Sequence, residues 1–357
     1  MACKSITFLL PGAIATPGGG YKIILEHANN LAQQGHRVTI ECPVKISRAS
    51  NIWKNINYLR LYYKYKYIIG YNSDSWFPLH KNVQVRWIWS LEYGNVAPAD
   101  IFIATEVRTS IYLNEYPIEP SRKYYFIQGY ENLFISDEEV KSTYRYDMTK
   151  MAISHWLIDI VKTEEQECSH TPNGFNVEQF YITRPIEQKD KFTISMLNHW
   201  QEQKDIPLAI AAIEIVRKQF PQLQVLAFGE RDNSNLPDWF KYYRRPSDEQ
   251  HLEINNRAAI YVGSSKIEGF GLTVGEAMLC GQAVACTDNR GYREMAKHNE
   301  TALLSPVADA QALATNIIRL ISDDNLRYRI AQNGHDYIYK NFSWDVAHRL
   351  FNQSLGL

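Results

Sequence analysis

The stretch from Ala259 to Met295, AIYVGSSKIEGFGLTVGEAMLCGQAVACTDNRGYREM, limits what this chain can fold into more than any other segment. Ala259, Ile260, Tyr261 and Val262 form a short apolar run suited to a strand covered on both faces. Gly269 and Gly271 give the following loop backbone freedom that side-chain-bearing residues resist. A helix is expected from about Thr273 to Cys280, with Gly281 placed to end it, and Ala283 to Cys286 supply the next strand. Strand, glycine turn, helix and strand in that order are the repeating unit of a parallel α/β sheet. A helix that follows a glycine loop offers free N–H groups and a positive dipole to an anion, commonly a phosphate. Glu268 and Glu276 flank this turn with seven residues between them, and the constellation points to an enzyme.

At 357 residues the chain is long enough for two domains, each with its own core. Its apolar fraction of 45% and charged fraction of 22% are those of a globular protein. A net charge of −1 argues against a polyanion-binding surface, so nucleic acid is not the expected partner. The five cysteines are scattered, odd in number and free of CxxC spacing, which disfavours both zinc and a disulfide framework and fits a reducing, cytoplasmic setting. The start, MACKSITFLLPG, has too short an apolar core for a signal peptide, and no run is long enough to span a bilayer. Any contact with a membrane is therefore expected at its surface, on the inner face.

The chain opens as a βαβ unit. Ile6 to Leu10 reads as a strand, Tyr21 to Gln34 as a helix stopped by Gly35, and Val38 to Ile40 as the second strand. Gly18, Gly19 and Gly20 precede that helix in the loop PGAIATPGGG, which suits either the close approach of a diphosphate or a simple tight turn. The GxGxxG dinucleotide fingerprint is not present in its usual form, so hydride chemistry on NAD is disfavoured. From Lys45 to Tyr71 six cations occur without one acid, interleaved with Trp53 and six tyrosines. This segment is compatible with a surface for anionic lipid headgroups or a lipid-linked acceptor, and with a solvated face whose tyrosines lie against the domain. Val83 to Trp89, Asp100 to Thr105 and Lys123 to Gln128 read as further buried strands. Polar residues at the carboxyl ends of such strands face the ligand crevice, which makes Thr105, Glu106, Gln128, Tyr130 and Glu131 candidates to line a site. The apolar periodicity lapses between His170 and Pro185, the expected domain boundary, and restarts at Phe192. Helices are expected at Pro207 to Gln219, Gln250 to Asn256, Ala308 to Ile321 and Asn325 to Asn333, with Trp344, Ala347 and Phe351 along one side of a last helix.

The order of these features resembles the retaining glycosyltransferases of family 4, and the segment EGFGLTVGEAMLCGQAVA is similar to that family's signature of two glutamates with seven residues between them. AISHWLIDIV, PNGFNVEQF, PSDEQHLEINNRAAIYVGSS and FSWDVAHR resemble further family segments in the expected order, so the likeness covers nearly the whole chain. YYFIQGYENLF is similar, more weakly, to a bacterial polysaccharide rhamnosyltransferase subgroup. The resemblance implies an α/β, GT-B type fold of two Rossmann-like domains facing across a cleft. Residues 1–171 with the C-terminal helix 340–357 would form the acceptor-side domain, and 172–339 the nucleotide-sugar domain. The implied substrates are a UDP-, GDP- or dTDP-linked sugar and a glycan or lipid-linked acceptor, with no cofactor.

Carried over by position, the resemblance implies that Glu276 binds the ribose hydroxyls and Glu268 the transferred sugar. Phe270, Gly271, Leu272 and Thr273 would offer backbone N–H groups, Lys204 would neutralise the leaving diphosphate, and Gly19 and Gly20 would let the first domain close over it. Two departures stand out. His199 occupies the place where the family usually has an arginine, and Gln128 or Tyr130 stands where it uses a histidine beside the donor sugar. No DxD motif occurs to hold a divalent ion, so no metal is expected. Thr273-x-x-Glu276 and Ser265-x-x-Glu268 also have the spacing of helix-capping boxes, a purely structural alternative. A sugar-nucleotide epimerase of the same architecture and a non-catalytic carbohydrate-binding protein are the competing functions.

Overall fold

Two parallel sheets, each flanked by helices, account for the computed structural model, which describes residues 2–13, 18–47, 52–64, 76–132 and 135–357, with backbone alone for 52–54. Parts of three expectations lie outside the described residues: positions 14–17 of the first glycine loop, 48–51 and 65–71 of the basic aromatic stretch, and 133–134 of YYFIQGYENLF. The chain divides into a first unit, Met1–Pro172 with His348–Leu357, and a second, Asn173–Ala347. The division assigns residues 340–347 to the second unit, not to the first as the family likeness implies. The reason is local: Phe342 accepts a 2.7 Å hydrogen bond from Phe175 N, and its ring meets Phe270 edge-on.

The first unit is built on β1 (Ser5–Leu9), β2 (Arg37–Pro43), β3 (Val83–Ile88), β4 (Ile101–Ala104), β5 (Lys123–Ile127), β6 (Thr149–Ala152) and β7 (Cys168–His170). Their order is β3-β2-β1-β4-β5-β6-β7, all parallel, so the winding reverses between β1 and β4. Every residue of β4 and β5 is buried, as expected for strands covered on both faces. The connecting helices are α1 (Gly19–Gln33), α2 (Ile52–Tyr63), α3 (Val107–Asn114), α4 (Asp137–Tyr144) and α5 (His155–Thr163). α1 buries Ile23, Ile24, Ala28 and Leu31 and ends before Gly35, whose φ of 90° needs no Cβ. His27 is packed inside, its ring stacked 3.9 Å from Phe351 and pulled well below the usual histidine range by burial and by His348.

The second unit carries β8 (Asp190–Asn198), β9 (Gln224–Gly229), β10 (Lys241–Arg244), β11 (Ala258–Gly263), β12 (Ala283–Thr287) and β13 (Ala302–Ser305) in the order β10-β9-β8-β11-β12-β13. This is the doubly wound order, with its reversal between β8 and β11. α6 (Ile206–Gln219), α7 (Asp248–Arg257), α8 (Leu272–Leu279), α9 (Ala310–Ser322) and α10 (Asp324–Asn341) cover the sheet. One apolar core runs through Ile194, Met196, Ile213, Val225, Ile260, Val262 and Ile317. α11 (Trp344–Ser354) starts in the second unit, and from His348 onward its residues count with the first.

Candidate active site

The second unit's site forms at the switch point of its sheet. β8 and β11 are neighbours whose following segments turn to opposite faces, and this opens a crevice beyond their carboxyl ends. After β8 the chain passes His199 and Trp200 into a single 3-10 turn, Glu202–Lys204. After β11 it runs through Ser264 to Gly271 into α8. The two segments are tied together: Lys266 N donates to Gln203 O at 2.7 Å, and Ser264 Oγ donates to Lys204 O at 2.8 Å.

Lys204 and Glu268 meet in this crevice. Lys204 Nζ donates to Glu268 Oε1 at 2.7 Å, and the side chains are 22% and 12% exposed. The same carboxylate oxygen accepts from Ser265 Oγ at 2.7 Å, and Ser265 Oγ in turn accepts from the Tyr292 hydroxyl at 2.9 Å. The Ser265 carbonyl takes Thr287 Oγ1 at 2.6 Å and Asn289 Nδ2 at 3.0 Å. Burial, reinforced by the Glu268 charge, pushes the Tyr292 phenol well up, so it stays a neutral donor. The turn after β12 is thus braced against the glutamate. The fit is close enough that a Cβ on Gly291 would stand 2.3 Å from Glu268 O.

Gly271 caps α8 at φ 102°, and a Cβ there would strike the Tyr292 ring at 2.5 Å, so both backbone shape and space demand glycine. No side chain caps this helix end. The Thr273–Glu276 capping box therefore does not form, and the Thr273 hydroxyl instead accepts from Tyr261 at 2.8 Å. The first-turn N–H groups, those of Leu272 and Thr273 among them, have no partner within the helix. Glu276 lies one turn into α8 and is partly accessible. Burial raises the Tyr261 hydroxyl, and the charges of Glu268 and Glu276 add to that rise. Phe270 is a core residue, 3% exposed and packed on Phe175, so only its backbone is free to serve a ligand.

His199 does not reproduce an arginine. Burial and the Lys204 charge hold its imidazole below the usual range, and its Nδ1 accepts from Gln201 N at 3.1 Å. The neutral ring then carries its proton on Nε2 and offers one hydrogen bond without a charge.

Gly19, Gly20, Gln128 and Tyr130 belong to the first unit. Gly19 and Gly20 open α1, and Gln128 lies beside them: a Cβ on Gly20 would meet Gln128 Oε1 at 3.4 Å, while Gln128 Nε2 donates to Thr105 O at 3.3 Å. Tyr130 is partly accessible, and burial together with the Asp137 charge at the start of α4 raises its phenol above the usual range. Glu131 and Glu106 share the N-terminus of α3. Glu131 Oε2 accepts from Val107 N at 2.5 Å, and Glu106 accepts from Arg108 N at 2.8 Å. Burial and the Glu106 charge push the Glu131 carboxyl well above the usual range. Among the described residues, sequence reasoning missed Ser265, which donates to Glu268, and Tyr292, Thr287 and Asn289, which donate to Ser265. Only the Ser265-x-x-Glu268 spacing signalled any of them.

With the geometry in hand, residues 178–337 match the protein family described as Glycosyl transferases group 1. The chain is similar to a phosphatidyl-myo-inositol mannosyltransferase of Mycolicibacterium smegmatis, 24% identical over 54% of this chain and 52% of that protein. It is likewise 24% identical to the capsular polysaccharide biosynthesis glycosyltransferase CapM of Staphylococcus aureus, over 51% of this chain and 53% of the relative. The chain thus spans about half the length of the curated relatives it matches. Among solved structures, Anabaena HepE in complex with UDP-glucose superposes with a TM-score of 0.71 over 99% of both chains at 15% identity, which establishes the fold. The match to the glycosyl transferases group 1 model thus lies within the second unit, and the chain as a whole has the GT-B fold of two Rossmann-like sheets.

Proposed function

We propose that the chain is a retaining glycosyltransferase of family 4 that moves a sugar from a nucleotide-sugar donor to a glycan or lipid-linked acceptor in cell-surface polysaccharide or glycolipid synthesis. The observation that carries this reading is the Lys204–Glu268 contact of 2.7 Å at the switch point, beside the side-chain-free N-terminus of α8. A nucleoside diphosphate leaving group needs its growing negative charge met, and a lysine together with helix N–H groups does that electrostatically. In this scheme Glu268 accepts hydrogen bonds from sugar hydroxyls, and Glu276 from the ribose. His199 adds a neutral donor, so charge compensation in this unit falls chiefly on Lys204. In the first unit, Gln128 beside Gly20, or Tyr130, takes the place beside the donor sugar. Neither a metal nor a cofactor has a step in this scheme. The relatives' mannosyl and capsular chemistry supports a polyhydroxyl or lipid-linked acceptor. The YYFIQGYENLF likeness favours a deoxyhexose such as rhamnose as the sugar.

The test is a thermal-shift panel of UDP-, GDP-, ADP- and dTDP-sugars. A donor present at a hundred times its dissociation constant stabilises the fold by about 2.7 kcal/mol. One base class should produce such a shift. Glycan binding without any nucleotide-sugar response would overturn the reading in favour of a non-catalytic binder, and epimerised donor in the absence of acceptor would favour an epimerase.

A further inference from the structure

The helix α2 is amphipathic in the reverse sense of a surface helix. Its inward positions are Asn55, Tyr58 and Tyr62, and Tyr62 meets Trp89 edge-on at 6.3 Å. Its outward positions carry aliphatic and aromatic groups: Ile56, Leu59, Leu61 and Tyr63 are 45%, 46%, 41% and 53% exposed. These are four of the ten large apolar side chains so exposed among the described residues. Ile56, Leu59 and Tyr63 follow an i, i+3, i+7 spacing and form one stripe. Arg60 and Lys64, both exposed, lie alongside it one turn apart. Tyr58 and Tyr62 are half-buried, while Tyr63 stands outward with Ile56 and Leu59 beside the exposed Asn57, Arg60 and Lys64.

A stripe of this kind, left in water, suits an occupant that is itself part apolar and part charged. The charge sets the sign: from Lys45 to Tyr71 the chain has six cations and no acid, although its net charge is −1. A second copy would bring Arg60 and Lys64 against Arg60 and Lys64 in a two-fold contact, which opposes self-association. An anionic lipid surface instead accepts the aliphatic groups at the headgroup boundary and attracts the flanking cations. We propose that the outward face of α2, centred on Ile56, Leu59 and Tyr63 and flanked by Arg60 and Lys64, docks on an anionic lipid bilayer. This assignment concerns the first unit's surface and does not depend on the donor chemistry of the second.

Co-sedimentation with vesicles tests it, comparing phosphatidylcholine alone with equal parts phosphatidylcholine and phosphatidylglycerol. The full chain should pellet with the anionic vesicles at low salt, stay in solution with the neutral ones, and be released by molar salt. Arg60→Gln with Lys64→Gln should weaken the partition about fivefold for each cation removed. Ile56→Gln with Leu59→Gln should weaken it on the order of tenfold while all charges remain. The residues are exposed, so the unfolding temperature of both variants should match the parent, as should the shift a nucleotide-sugar induces, which reads the second unit separately. Wild-type protein that stays in solution with both vesicle types overturns the proposal, as does pelleting that neither variant reduces. A dimer abolished by Ile56→Gln with Leu59→Gln, without vesicle binding, would reassign the face to self-association.

Discussion

The hydroxyl chain from Tyr292 through Ser265 to Glu268 makes a prediction that contact counting alone does not. Tyr292→Phe removes one oxygen from a residue 2% exposed and keeps the ring in place. The loss is one neutral hydrogen bond of 2.9 Å, about 1 kcal/mol, because Ser265 can still donate to the carboxylate. Ser265→Ala acts at both ends. It removes a charge-assisted bond of 2.7 Å to Glu268, about 1.5–3 kcal/mol, and leaves the buried Tyr292 hydroxyl unpaired at a further cost of about 1–3 kcal/mol. In the alanine background, Tyr292→Phe then deletes a stranded donor, so the second substitution should cost nothing or restore about 1 kcal/mol. The double variant is therefore less unstable than the sum of the singles by about 1 kcal/mol or more. For a unit spanning Asn173–Ala347 that coupling corresponds to about 2–4 °C in unfolding temperature, readable by differential scanning calorimetry of the four proteins. Turnover should fall more in Ser265→Ala than in Tyr292→Phe, since only the former frees the Glu268 carboxylate to rotate. Losses that add within about 0.5 kcal/mol would show that the three groups do not act as one chain, and the bracing of Glu268 would have to be abandoned.

Three further outcomes are expected. Glu276→Ala should weaken donor binding by about 10- to 100-fold, the worth of a charge-assisted hydrogen bond to a ribose hydroxyl, and titration calorimetry with the donor picked by the panel checks it. Burial pulls Lys189 down to about 7, its ammonium donating to the carbonyls of Asn255 and Ala258. Between about pH 7 and pH 10 the unfolded chain keeps a proton on this lysine that the native chain has lost, so its contribution to stability rises with pH across that window. Lys189→Met should flatten that rise in urea unfolding measured from pH 7 to 9, and the comparison cancels the opposing effect of buried thiols such as Cys286. Turnover should be unchanged when EDTA replaces magnesium in the assay; a strict metal requirement would show that Lys204 and the start of α8 do not suffice for the diphosphate.

What the sequence disclosed and what it concealed follow from the range of the interactions. β11, the glycine loop, α8 and β12 were legible because every strand residue from Ala258 to Gly263 is buried and the turn chemistry is local. β10, with the polar sequence KYYR, and β7, only three residues long, leave no apolar run and went unread. α10 continues to Asn341 although the sequence suggested a stop near Asn333. Gly334 sits inside this helix because a Cβ there would approach Met278 Cγ to 3.2 Å, so it serves close packing on α8 and not termination. The capping-box spacing is used at Ser136–Glu139 and Ser247–Gln250 but not at Thr273–Glu276, since Gly271 already ends the loop. In the site, the pairing of Lys204 with Glu268 spans 64 residues and that of Tyr292 with Ser265 spans 27. Periodicity has no access to such separations, and only the family likeness marked Lys204 and Glu268 as partners in one task.

The central claim is that the Lys204–Glu268 pair carries sugar transfer, and nucleoside diphosphate release tests it most directly. Wild type, Lys204→Met and Glu268→Gln would be compared with the donor that shifts the wild-type unfolding temperature, with and without acceptor. Loss of a preorganised group that meets developing charge typically costs about 10²–10³ in turnover. We expect each variant to lose that much while unfolding within a few degrees of wild type and, for Glu268→Gln, still binding nucleotide. Release at near wild-type rate in both variants would contradict the assignment, and the crevice beyond β8 and β11 would then not be where the reaction occurs.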